Sequence, residues 1–95
     1  MILTVTGEVF EWRGPAPHHF VLVPEEEAAA IEHAAPSVTY GWGMIPVHGR
    51  IGATTFTTSL WPKDGLYVIP LKVAVRRAEH IDLGDVVTVE LALDV

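Results

Sequence analysis

Two apolar runs in this chain end in proline, and a helical pattern starts at once after each. "FVLVPEEEAAAIEHA" (Phe20–Ala34) is the first and "LYVIPLKVAVRRAEH" (Leu66–His80) the second. Runs rich in β-branched and aromatic residues suit strands. Proline removes a backbone donor and suits the first turn of a helix. Aligning Pro24 with Pro70 pairs Phe20–Val23 with Leu66–Ile69 and Ala28 with Ala74. Upstream, each half has a strand ending in tryptophan (Trp12, Trp61) and a Gly/Pro-rich turn. Each half therefore reads strand, turn, strand, proline, helix, strand. A unit this small cannot bury its own sheet. Two copies are expected to intertwine into one barrel with a helix over each end, the halves being roughly Leu3–Ile51 and Thr54–Leu93 and related by a pseudo-twofold axis.

The other segments fit this plan. "LTVTGEVFEW" (Leu3–Trp12) alternates, with Leu3, Val5 and Val9 on one face. "RGPAP" (Arg13–Pro17) is a turn, and "HFVLV" (His19–Val23) is apolar on both faces, as in a central strand. In the first helix Glu25, Glu26 and Glu27 lie where the dipole favours carboxylates, Ala28, Ile31 and Ala35 form an apolar stripe, and Pro36 ends it. "GWGMIPVHGRI" (Gly41–Ile51) predicts an irregular strand broken at Pro46. "TTFTTSLW" (Thr54–Trp61) alternates with Phe56 and Leu60 inward, and "PKDG" (Pro62–Gly65) predicts a hairpin turn. The second helix is expected from Leu71 to about Glu79, burying Leu71, Val75 and Ala78. "VVTVELAL" (Val86–Leu93) closes the chain as a strand.

Composition excludes several classes. The chain has 95 residues, enough for one domain with one core (1–95), and at 49% hydrophobic it is not a disordered segment. No apolar run approaches the roughly 20 residues of a membrane-spanning helix. "MILTVTGEVFEW" lacks the basic start and cleavage site of a signal peptide. With no cysteine there is no disulfide or thiolate chemistry, which fits a reducing compartment such as the cytoplasm. A formal charge of −6 argues against DNA, RNA or an anionic membrane as a bulk electrostatic partner.

The second unit, "VIPLKVAVRRAEHIDLGDVVTVEL" (Val68–Leu91), resembles the half-barrel of the AbrB/MazE/MraZ-like superfamily, with strand, proline, short helix, Gly84-Asp85 turn and strand. Over nearly its whole length the chain more closely resembles the bacterial domain-of-unknown-function 1905 family. The matching pieces are "FEWRGPAPHHFVLVP" (Phe10–Pro24), "GWGMIPV" (Gly41–Val47), "TTSLWPKDGLYVIPLK" (Thr57–Lys72) and "AVRRAEHIDLGDVV" (Ala74–Val87). This resemblance implies a mainly β fold, a double-split β-barrel of about six strands capped by two short helices. It implies no established activity. His18-His19 and Trp61 depart from the family's usual residues.

No motif names a reaction. There is no G-x-S-x-G, and Ser37 and Ser59 lack a signature of activation. Glu8 and Glu11 fall on opposite strand faces, so paired catalytic carboxylates are not visible. The leading expectation is a small non-enzymatic binding module, without a cofactor, for a protein or a small anionic ligand. Its candidate residues are Trp12, Arg13, Lys63, Lys72 and Arg76 around a shared cleft, with Trp42, flanked by Gly41 and Gly43, as a wall. Arg13 offers a fork of donors and the neighbouring indole a stacking surface. Lys72, Arg76 and Arg77 form a basic cluster that could meet the acidic first helix of a second copy, giving a homo-oligomer. Two alternatives stand beside this: a nucleic-acid-binding regulator by analogy with AbrB, and an enzyme with an Arg/Lys/Trp-lined pocket.

The five histidines do not have metal-site spacing: His18 and His19 are adjacent on a strand, and no pair is four apart on a helix. Equimolar zinc is therefore expected to leave the thermal midpoint unchanged. A rise of several degrees that a chelator reverses would contradict this reading.

Overall fold

The computed structural model describes residues 1–12, 18–38 and 43–94. The described residues form β1 (Ile2–Trp12), β2 (His18–Leu22), α1 (Glu25–Val38), β3 (Ile45–Ile51), β4 (Thr54–Lys63), β5 (Leu66–Leu71), α2 (Val73–Ala78) and β6 (Val86–Ala92). The strands close into an antiparallel barrel in the order β1-β2-β5-β4-β3-β6. Exchanging β1, β2, β3 for β4, β5, β6 leaves that order of neighbours unchanged. The mainly β barrel with two helices is the fold expected from the sequence.

Two strands serve two neighbours in turn. β1 pairs with β6 over Ile2–Glu8 and with β2 over Val9–Trp12. β4 pairs with β3 over Thr54–Ile51 up to Leu60–Ile45, then with β5 from Trp61 to Lys63. Where neighbours change, the sheet splits and one strand is left with a partner on one side only. The strand prolines sit at such places. Pro46 faces β4 alone because β3 meets β6 only at His48–Arg50. Pro62 faces β5 alone, and Pro70 faces β2 alone. A missing N–H is tolerated at an edge-like position and not between two partners.

This corrects two expectations. β3 is not broken at Pro46; it is a regular strand with Ile45, Val47, Gly49 and Ile51 all buried. Pro24 and Pro70 are not equivalent either. Pro24 directly precedes α1, whereas Pro70 lies inside β5 and Lys72 holds the position before α2. The hairpin turn is also tighter than "PKDG". Lys63 pairs with Leu66, leaving Asp64 (φ 50°) and Gly65 (φ 79°) as a two-residue loop. Positive φ at both central residues is the type I′ turn, whose twist matches the strands it joins.

The core lies inside the barrel and under the helices. Val5, Val9, Val21, Ile45, Leu60, Ile69, Val89 and Leu91 fill it, each at most 1% exposed. α1 packs on β5 and β3 through Ala28 and Ile31, and α2 on β4 through Val75. α1 continues through Pro36 to Val38, because proline deletes one helical bond and does not by itself force an end. Ala35 has no described side chain. In the second helix, Leu71 belongs to β5 and Ala78 is exposed; Ile81, after a turn at His80 (φ 52°), supplies the buried contact instead. Glu79, just after the helix, accepts a hydrogen bond from Thr54 Oγ1.

Gly49 is buried on β3 opposite Phe56, and a Cβ there would overlap the Phe56 ring. Gly49→Val is expected to lower the unfolding free energy by about 1–3 kcal/mol, the usual cost of overpacking. Chemical denaturation checks this, and Phe56→Ala in the same chain should recover part of the loss through coupling of the two sites.

Candidate functional site

Residues directly opposite one another on paired strands share a face. The register therefore sorts the barrel wall. Val9, Val21 and Ile69 form one row facing the core. The adjacent rows, Phe10–Phe20–Pro70 and Leu22–Val68–Trp61, face outward, with Trp12–His18 and Lys63–Leu66 beyond them. An outward row would ordinarily be polar. Here Phe20 and Val68 are 1% and 0% exposed although they stand outside the central core cluster.

Aromatic side chains cover them. Phe20 lies 5.1 Å from Trp61 and 5.6 Å from Trp12, ring centroid to centroid, and 6.1 Å from Phe10. His18 meets Trp61 edge-on at 5.8 Å. The indoles of Trp12 and Trp61 meet edge-on at 6.4 Å, although β2 and β5 separate their strands. Pairs of this geometry contribute roughly 0.5–1.5 kcal/mol each beyond burial. Lys63 Nζ sits 5.1 Å from the Trp12 ring centroid, a cation–π contact, and donates to Asp64 Oδ2 at 2.9 Å. Trp12 and Leu22 remain exposed at the edge of this cluster.

Two depressions flank the β4–β5 turn. One, of about 670 Å³, has Phe10, Leu22 and Leu66 as apolar lining and Glu8, Lys63 and Asp64 among its polar groups. The other, of about 440 Å³, lies between the turn and α1 and carries Glu25 and Glu32. Both are lined by Asp64 and Leu66.

Of the residues singled out in the sequence, the fold brings Trp12 and Lys63 together. Lys63 belongs to β4, not to the turn after it. Lys72 and Arg76 lie past the far end of β5, about 16 Å of strand away from the turn. Lys72 Nζ donates to the Thr57 carbonyl at 3.3 Å and Arg76 Nε to the Leu71 carbonyl at 3.2 Å. Arg76 shares a separate depression with Arg77 and His80. The depression that Lys63 lines includes neither Lys72 nor Arg76, and one strand length lies between them. Arg13 and Trp42, with the "RGPAP" turn, lie outside the described residues. The sequence reading missed Phe10, His18, Phe20 and Trp61 as one cluster. The available signal was "HFVLV", apolar on both faces: a strand in a barrel wall needs that only if its outer side is also covered.

Tyr67 is buried beside α1. Desolvation first, and then the Glu32 carboxylate, raise its hydroxyl above the ordinary value of 10.0. The folded state thus holds this proton more tightly than the unfolded chain. The associated stability is complete below the unfolded value and is lost as pH rises through the folded one. Tyr67→Phe is expected to flatten the alkaline loss of stability in melts taken on either side of pH 10. Glu32→Gln should move the ultraviolet phenolate titration assigned by that variant to lower pH.

No curated protein and no solved structure gives a significant match to this chain. A family match covers residues 6–91, a span that holds both outward rows, both tryptophans described above and the β4–β5 turn. On that match the chain belongs to the family described as "Domain of unknown function (DUF1905)".

Proposed function

We propose that this protein is a small non-enzymatic binding module that holds a partner protein against the outer face of β1, β2, β5 and β4. The observation that carries the reading is the burial of Phe20 and Val68 on the outside of a closed barrel, beneath aromatic side chains that are themselves partly open to solvent. Both residues stand apart from the central core cluster. Aromatic residues set in a rigid frame are the usual anchors of protein interfaces. A small anionic ligand fits this face less well, because Lys63 already contacts Asp64 and carboxylates stand around it. Nucleic acid meets the same objection, added to a net charge of −6. We read the two halves as copies of one strand–strand–helix–strand unit, which the exchangeable strand order supports although Pro24 and Pro70 do not mark equivalent junctions. The absence of cysteine supports action in a reducing compartment such as the cytoplasm.

The test is photo-crosslinking in the source cells, with a benzophenone amino acid in place of Leu22 on the aromatic face or of Arg50 on the β3 strand. Leu22 is expected to give discrete adducts and Arg50 none. An adduct at twice the chain mass identifies a second copy as the partner. Trp12→Ala with Trp61→Ala should reduce the adducts about tenfold or more, the scale of losing interface anchors. Equal labelling from both positions, or none from Leu22, would reject the proposal.

A further inference from the structure

The groove beside the aromatic cluster has a charge pattern that specifies its occupant further. Its apolar lining includes Pro24 and, from three different strands, Phe10, Leu22 and Leu66. Around it and the adjoining depression stand four carboxylates: Glu8 on β1, Asp64 at the turn, and Glu25 and Glu32 on α1. The one cation in these linings, Lys63, is matched by Asp64 at 2.9 Å and lies over the Trp12 ring. Glu8, Glu25 and Glu32 form no ion pair with a described residue. Among the described residues, three carboxylates thus have no ion-pair partner beside an apolar surface with an exposed leucine.

We infer that this groove receives a basic, apolar segment of the partner protein, with leucine-like or aromatic side chains on Phe10, Leu22 and Leu66 and lysine or arginine side chains toward Glu8, Asp64, Glu25 and Glu32. The inference rests on the protein-binding reading above and names the chemistry of the partner. Charge complementarity selects this occupant. An acidic segment would meet like charges at the rim, and a neutral apolar one would leave the carboxylates to lose water without compensation. The net charge of −6 adds a long-range attraction for a basic chain that salt would screen. The groove also opens where β1 loses β2 as a neighbour, since β1–β2 pairing ends at Val9–Val21. Thr6 and Gly7 line the groove at this point.

The experiment is fluorescence anisotropy with the full chain and three labelled short peptides: lysine–leucine, glutamate–leucine and lysine–serine. The lysine–leucine peptide is expected to bind at least about tenfold more tightly than either other peptide and to weaken as salt rises. Glu8→Gln with Asp64→Asn should weaken it severalfold. Asn tolerates the positive φ at position 64, so the turn is preserved. Glu90→Gln with Asp94→Asn removes the same charge elsewhere and should change binding little. Leu22→Ser, at an exposed position, provides a second variant that spares the core. Equal binding of the lysine–leucine and glutamate–leucine peptides, or equal effects of the two charge-removing pairs, would overturn the inference. Those outcomes with Leu22 crosslinks intact refute the basic segment and leave the protein-binding reading standing. Selective lysine–leucine binding with no Leu22 crosslink in cells rejects the protein-binding reading and leaves only a groove that prefers basic apolar peptides.

Discussion

Six strands close into this barrel because β1 and β4 each change partner partway along their length. The first seven residues of β1 belong to β6 and the rest to β2; β4 turns from β3 to β5 between Leu60 and Trp61. Everything else follows from that exchange. It lets long strands wrap a small interior without an extra neighbour. It creates the one-sided stretches where Pro46, Pro62 and Pro70 can sit without breaking a shared ladder. It also leaves the opening beside Glu8 and Leu22 that becomes a groove.

The wall between core and outer face is a single layer of backbone. Val21 points inward and Phe20 outward on the same strand, and both are fully buried. An aromatic cluster built on such a wall inherits the rigidity of the core, since its anchoring residues alternate with core residues one position away. That is why Trp12 and Trp61, from strands that do not touch, hold a fixed edge-on contact. The aromatic cluster stands wholly on strands, while the carboxylates beside it come from β1, α1 and the β4–β5 turn.

Much of the fold was legible because its signals are local. Alternation marked β1 and β4, glutamates marked the start of α1, and Pro62–Gly65 marked a turn that the structure narrows to Asp64 and Gly65. The prolines misled because one residue type serves two ends: Pro24 opens a helix, and Pro70 occupies a one-sided position in a strand. Nothing adjacent in sequence distinguishes the two, since the difference lies in which distant strand pairs beside them. The candidate site was half legible for the same reason. Trp12 and Lys63 come together across the barrel wall, while Lys72 and Arg76, nearer to Lys63 in sequence, are carried away by the length of β5. The acidic groove could not be read at all. Its carboxylates come from β1, α1 and the β4–β5 turn, and only the closed barrel gathers them.

Among the described residues, β3 pairs only with β4 and β6, and β6 only with β1 and β3. The last strand of each half thus finds all its partners in the other half. A nascent chain emerging from the ribosome cannot complete either half by itself: the Ile2–Glu8 stretch of β1 waits for residues 86–92, made some eighty positions later. Until then the apolar strand edges that these partners cover have nothing in the chain to pair with.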